Sequence, residues 1–239
     1  MKLPKKFTRM LGVLIFSLGV LAGLSLTIAA VWADFEAVFY GFDKIGDARL
    51  PSLKCPVLMT KSETGMISAT FKNASDRSIE FMTRADISGF SRIRSERSML
   101  TLAPGESKQL DWTVTSEDID LGRFIFAKVS NYPAYQMTFR EATCGIVVLD
   151  LPGWSGMQVF TLFFTICLLG ILVGYSSWEL TTGSMEGHTI DITRAMKFLG
   201  ILVLLGLLIS MQGSWLVGLL FIVVSLMMAG VVIGFVLSR

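Results

Sequence analysis

A helical bundle of four membrane spans joined to an all-β sandwich on the outer side is the fold class that the sequence predicts. Three observations carry it. Four segments lack acidic and basic side chains over lengths close to a membrane crossing, in a chain of 239 residues that is 52% hydrophobic and 17% charged. The charge is gathered between them: 14 of the 21 Lys and Arg and 16 of the 19 Asp and Glu lie between Asp34 and Asp150. Within that charged stretch the hydrophobic pattern turns from continuous to alternating.

The first apolar run is Met10 to Trp32. About 20 apolar residues, rising 1.5 Å each, cross roughly 30 Å of hydrocarbon. Lys2, Lys5, Lys6 and Arg9 precede the run, which sets the N-terminus in the cytoplasm by the positive-inside rule. The same basic start and apolar run, with Val31-Trp32-Ala33 after them, also describe a cleavable signal peptide. Residues 1–33 are therefore a retained span or a signal, and either one exports the β-domain. Residues 34–54 form a juxtamembrane connector. At helical spacing its Phe35, Phe39 and Phe42 fall near one face, which suits either a short helix lying on lipid or a cover for the base of the β-domain.

Residues 55–150 alternate. Ile67, Ala69 and Phe71 share one face of Gly65–Asn73; Ile79, Phe81, Thr83, Ala85 and Ile87 share one face of Ile79–Ser88, against Glu80, Met82, Arg84 and Asp86; Leu110, Trp112 and Val114 share one face of Lys108–Thr115. Such alternation belongs to antiparallel strands with one buried and one wet face. Further strands are expected at Val57–Thr60, Ser98–Leu102, Arg123–Ser130, Tyr135–Arg140 and Gly145–Leu149. Asn73–Asp76, Ala103–Glu106 and Ser116–Gly122 supply turn residues. Seven or eight short strands at this spacing predict a β-sandwich.

Three more spans lie at 157–178, 195–211 and 214–238, with a cytoplasmic loop at 179–194. The third is short, and reaches length by letting Lys197 extend to the interface. Alternation from the N-terminus puts residues 34–156 outside and both termini in the cytoplasm. Arg194, Lys197 and Arg239 then fall on the cytoplasmic side, and Trp32, Trp154, Trp178 and Trp215 at the interfaces that indole rings favour. The expected location is a prokaryotic plasma membrane.

Cys55 and Cys144 are the two cysteines of the exported region, and an even count in an oxidising compartment predicts a disulfide between them. Closing a loop of about 90 residues stabilises by up to roughly 4–5 kcal/mol in the chain-entropy picture. Cys167 lies inside a span as a small apolar residue.

Candidate sites are sparse. His188 is the sole histidine and lies in the cytoplasmic loop, so no Ser-His-Asp or histidine metal site is expected outside. Glu117, Asp118 and Asp120 read as an acidic turn rather than a calcium loop, which needs six to eight oxygens in fixed order. Glu179, Glu186, His188 and Asp191 are the one polar cluster that a membrane enzyme would use. No catalytic, metal or cofactor-binding residue is assigned. Arg92, Arg94 and Arg97, with Glu80 and Arg84, form the polar surface expected to meet a partner, Arg92 and Arg94 on one strand face. The spans carry no ionisable side chain in their interiors, which ion and proton pathways normally show. They carry instead Gly19-x-x-x-Gly23, Gly170-x-x-x-Gly174 and Gly230-x-x-x-Gly234, a spacing that lets helix backbones approach closely. The near-neutral balance argues against nucleic acid.

Leu102-Ala-Pro-Gly-Glu-Ser-Lys-Gln-Leu110-Asp-Trp112 resembles the turn and strand of bacterial immunoglobulin-like domains of the cell-adhesion type. Asp120-Leu-Gly122-Arg-Phe124 is similar to the Asp-x-Gly-x-Tyr corner of immunoglobulin-like folds, although Phe124 has no hydroxyl for the corner hydrogen bond. The cysteines do not sit beside the Trp as in antibodies. The resemblance implies an immunoglobulin-like sandwich and no active site. The order of one span, a β-domain and three close spans is similar to that of claudin-type proteins, whose paired-cysteine and Gly-Leu-Trp motif is absent. The expected function is a non-enzymatic membrane accessory or docking protein whose partners are the bilayer and an exported or membrane protein. The rival is a transport subunit whose pathway needs other chains.

Overall fold

The computed structural model describes residues 5–42, 48–90, 92–133, 139–182 and 188–237. In chain order these form α1 (Lys5–Phe39), β1 (Ala48–Arg49), β2 (Leu58–Thr60), β3 (Gly65–Lys72), β4 (Ile79–Ile87), β5 (Arg94–Leu102), β6 (Ser107–Val114), β7 (Phe124–Pro133), β8 (Arg140–Leu149), α2 (Gly156–Thr182), α3 (His188–Ser210) and α4 (Trp215–Leu237). They divide into a helical unit, residues 1–31 with 160–239, and a β unit, residues 32–159.

All four helices are long and apolar enough to cross a membrane. α1 and α3 are longer than the apolar runs alone suggest. α1 passes unbroken through Val31–Ala33 to Phe39, and α3 begins at His188, ahead of the charged Asp191, Arg194 and Lys197. Within the helical unit α1 and α2 touch backbone to backbone. A Cβ on Gly19 would lie 2.9 Å from the Cα of Gly170, and one on Gly174 would lie 2.4 Å from the nitrogen of Phe16. Gly23 faces Val203 of α3 and Cys167. Small residues permit such crossings in lipid, where dispersion and helix contact replace the hydrophobic drive. Trp178 of α2 donates its indole N–H to Thr193 of α3, and Arg9 lies over the Trp178 ring at 4.2 Å.

The β unit holds a mixed six-stranded sheet, in which β8, β7, β4 and β5 are neighbours in that order and antiparallel, while β1 and β2 pair with β8 in parallel. β3 and β6 form a second, antiparallel pair. The alternating residues explain why the chain buries these faces. Ile67, Ala69, Phe71, Trp112 and Val114 of the pair meet Phe81, Ala85, Ile87, Ile125, Ala127, Val129 and Ile146 of the large sheet in one apolar cluster. Cys55 and Cys144 are joined by a disulfide across 89 residues, which ties the approach to β2 onto the middle of β8. Of the strand expected at Tyr135–Arg140, residues 135–138 lie outside the described residues, and Arg140 opens β8. β5 starts at Arg94, four residues before the expected Ser98.

The connector resolves into a helix end and a cap. α1 closes with Gly41 at a φ of +97°, a left-handed conformation that glycine adopts without strain. The amide of Phe42 bonds back to the carbonyl of Ala37, and that of Gly41 to Val38, the bonding pattern of a Schellman cap. Phe42 is thereby turned inward with Ala33 and Ala37 against Phe124 and Phe126 of β7, while Phe39 stays exposed. At the other end Ser155 and Gln158 exchange hydrogen bonds as a capping box for α2, and Glu63 accepts from the amides of Thr60 and Gly156.

Candidate interaction surface

The last turns of α1 lie across the outer face of the large sheet, and they cover only part of it. A Cβ on Gly145 would stand 2.0 Å from the carbonyl oxygen of Ala33, so the helix backbone rests directly on β8. The side chain of Asp34 accepts the Gly145 amide at 3.0 Å. Further along, Tyr40 packs on Phe126 of β7 with ring centroids 4.8 Å apart and donates its hydroxyl to Asp120 at 2.6 Å. Burial, then the hydrogen bond to Asp120 and its negative charge, push the Tyr40 phenol up to about 12. The helix thus meets β8 first and β7 next, and it ends beside Gly89, the residue whose backbone bonds to Tyr40. β5 lies beyond.

The outer face of β5 is exposed and that of β4 is half-buried, with Glu80 exposed at its start. Strand register sets its side chains in rows: Glu80 opposite Thr101; Met82 between Met99 and Tyr132; Arg84 opposite Arg97; Asp86 opposite Ser95. Met99 is 64% and Tyr132 38% exposed, so the second row is an apolar stripe across three strands. Arg84 donates to Asp86 at 2.7 Å, and Ser95 donates to the same carboxylate oxygen. The bond to Asp86, more than any effect of burial, holds the Arg84 guanidinium above its ordinary pKa. Arg97 stands against Arg84 without an ion pair among the described residues. Like charges directly opposite on a sheet repel. One of the two is compensated by Asp86; Arg97 is the one left over.

The arginines expected together are therefore split. Glu80, Arg84 and Arg97 share the outer face. Arg94 faces the opposite way on β5 and is fully engaged: it pairs with Asp118 at 3.1 Å, donates to the carbonyl of Thr113 at 2.7 Å, and contacts Glu96. Arg92 precedes β5 rather than sharing a strand face with Arg94. Both line a cavity of about 750 Å³ at the start of β5, with Phe90, Ile93, Thr115 and Glu117, and Phe90 is 90% exposed. Reversing Arg94 would break the tie between β5 and the turn after β6, so it tests folding rather than recognition.

The acidic turn does not converge on a point. Asp118 caps a short 3-10 turn by accepting the Thr115 amide, and Asp120 accepts from Tyr40 and from the Leu121 amide. Among the described residues no three His, Cys, Asp or Glu form a group that could hold a metal. Glu179 lies in α2 and Asp191 in the first turn of α3; Glu186 and the side chain of His188 lie outside the described residues. The glycine spacings also differ in use. Gly19, Gly23, Gly170 and Gly174 meet other helices, as does Gly12. A Cβ on Gly230 or Gly234 would meet nothing within 4 Å.

No family model matches the sequence, and no curated protein does. Among solved structures, Bacteroides uniformis β-glucuronidase matches 40% of the chain at 10% identity with a TM-score of 0.32, and the chain spans 12% of that protein's length. The CARDB domain of the Pyrococcus furiosus PF1109 protein matches 41% at 12% identity and 0.33, with 90% of that domain covered. Listeria innocua β-glucosidase matches 42% at 18% identity and 0.29, with 16% covered. Likeness at this level carries no argument about activity.

Proposed function

We propose that the chain is a non-enzymatic membrane accessory protein that presents an exported immunoglobulin-like domain to a protein partner. The observation that carries this reading is Arg97, which has no ion pair among the described residues, beside the exposed Met99 and Tyr132, on the half of the sheet that α1 leaves bare. An apolar stripe with a spare cation suits a partner that brings an apolar side chain and a carboxylate. Methionine adapts to varied surfaces, and an exposed pair of this kind is common where proteins meet.

Three features support the rest of the reading. The four apolar helices suit a membrane anchor, and the basic N-terminal residues favour a cytoplasmic start. The pairing of β3 with β6 against a β8–β7–β4–β5 sheet suits an immunoglobulin-like sandwich. The disulfide suits an oxidising compartment. On this topology residues 34–156 face outward from a prokaryotic plasma membrane and both termini face the cytoplasm.

The rival reading, a transport subunit completed by other chains, draws on α4. Its Gly230 borders an apolar cavity of about 560 Å³ lined by Val13, Phe16, Val20 and Leu199, room that a further helix could use.

Paired purification from native membranes separates the two. Arg97→Glu with Met99→Ser should lose an exported protein that the parent retains, and the retained complex should weaken with salt. Gly170→Leu with Gly174→Leu should disturb membrane assembly instead. If the sheet variant retains every exported protein and only the glycine variant loses activity in the host, the rival holds.

A further inference from the structure

Resting on the docking reading, the backbone of β5 carries that reading one step further, to the conformation of the partner. Among the described residues β5 is the last strand of the large sheet and is bonded on one side only, to β4. From Ser95 to Met99 all five residues are exposed. These side chains alternate between the two faces, so the β3–β6 pair does not cover this half of the strand.

One bond sets the direction of its amides. Ser88, directly after β4, donates its amide to Phe126 of β7 at 2.8 Å, in register with the pair Ile87 and Ala127. Along an antiparallel strand, alternate residues turn both N–H and C=O to the same side. Asp86, Arg84 and Met82 therefore bond towards β7, and Ile87, Ala85, Thr83 and Phe81 towards β5. Their partners Arg94, Glu96, Ser98 and Leu100 are consumed by β4. Ser95, Arg97, Met99 and Thr101 point four N–H and four C=O groups at the open edge.

We propose that this edge accepts an extended acidic segment of an exported protein, which adds to the sheet as a further strand beside β5. Side chains of such a strand would lie on the outer face next to Met99 and Arg97, one apolar and one carboxylate. Charge selects this occupant. A second copy of β5 centred on Arg97 would oppose arginine with arginine, and a basic strand would fare the same. Charged edges resist indiscriminate pairing, and here the surplus charge admits one sign only. Strand addition draws affinity from main-chain bonds and specificity from alternate side chains.

The test uses the full chain in detergent micelles and a fluorescein-labelled ten-residue peptide whose odd positions alternate valine with glutamate and whose even positions are threonine, so that both types share one face; the control peptide has lysine in place of glutamate. The glutamate peptide should bind and slow exchange of the Ser95, Arg97, Met99 and Thr101 amides at least tenfold, and the lysine peptide should do neither. Arg97→Glu should weaken binding at least tenfold. Met99→Ala and Met99→Pro both remove the side chain, but only proline removes an outward N–H, at a position that gives no bond to β4. Met99→Pro should therefore bind at least tenfold more weakly than Met99→Ala, with Thr101→Pro repeating the effect should Met99→Pro lower the melting temperature. Absence of binding, unprotected edge amides with peptide bound, or equal affinities of the proline and alanine variants would overturn strand addition. In each of those cases a native exported partner that still depends on Arg97 leaves the docking reading standing; loss of that dependence is what sinks the docking reading itself.

Discussion

The two halves of the outer sheet face are built from the same strands and have opposite fates. Over β8 and the start of β7, the helix end brings Ala33, Ala37 and Phe42 onto Phe124 and Phe126, and Gly145 makes room for its backbone. Over β4 and β5 the same face carries Met82 and Arg84, half-buried, and Met99 and Arg97, exposed. The covered half uses small and aromatic residues because a helix must seat within van der Waals distance. The bare half uses long, adaptable and charged side chains, which keep a wet surface soluble. The contrast says which half serves the fold, and the docking proposal assigns the other half to a partner.

The largest effect is expected where the helix end sits on β8. Gly145→Val would place a branched side chain where the Ala33 carbonyl now stands, and neither is the flexible end of a side chain. Overpacking of this kind costs about 1–3 kcal/mol or more, and the bond from the Gly145 amide to Asp34 would be lost with it. The melting temperature of the β unit should fall and Tyr40 fluorescence should report an exposed ring. A variant that melts like the parent would mean the helix end is not seated on β8.

A smaller effect is expected at the far end of the same seat. Tyr40→Phe keeps the ring on Phe126 and removes the hydrogen bond to Asp120, a loss of about 1 kcal/mol near neutral pH. The pH dependence has a definite sign. The folded phenol titrates near 12, above its ordinary value of 10, so its contribution is complete below 10 and is lost as pH rises through 12. Denaturant titrations of parent and variant should differ most below pH 10 and converge between 10 and 12. Parallel curves across that range would remove the Tyr40–Asp120 bond from the account.

How far these features were legible in the sequence depends on how local they are. Period-two alternation placed Ile67, Phe71, Phe81 and Trp112 on faces that the structure buries, because alternation is a property of the strand itself. The cysteine pair was legible from the even count and the compartment expected for it. Three things were not. Asp120 receives a hydroxyl from Tyr40, 80 residues earlier, a contact that no local pattern announces. Arg97 opposes Arg84 only because β5 begins at Arg94, and a strand's start is set by its partner rather than by its own pattern. Glycine spacing marked helices able to pack closely, but Gly19 and Gly170 meet while Gly230 and Gly234 meet nothing, since spacing does not say which face looks inward.

The smallest expected effect lies on the β4–β5 half. Arg97→Ala removes an exposed side chain that has no ion pair among the described residues and that opposes Arg84. Cross-strand pairs contribute roughly 0.2–1 kcal/mol, and a like-charge pair contributes with the unfavourable sign. Exposure screens it, so Arg97→Ala should leave stability unchanged or raise it by no more than about 0.5 kcal/mol, with the gain shrinking as salt is added. Arg84→Ala should behave differently, because Asp86 loses its partner while Arg97 remains. A double-mutant cycle over Arg84 and Arg97 reads the coupling directly, and a repulsive sign is the expected result. An attractive or absent coupling would mean that Arg97 is already compensated, and the spare charge on which the proposed partner recognition rests would be gone.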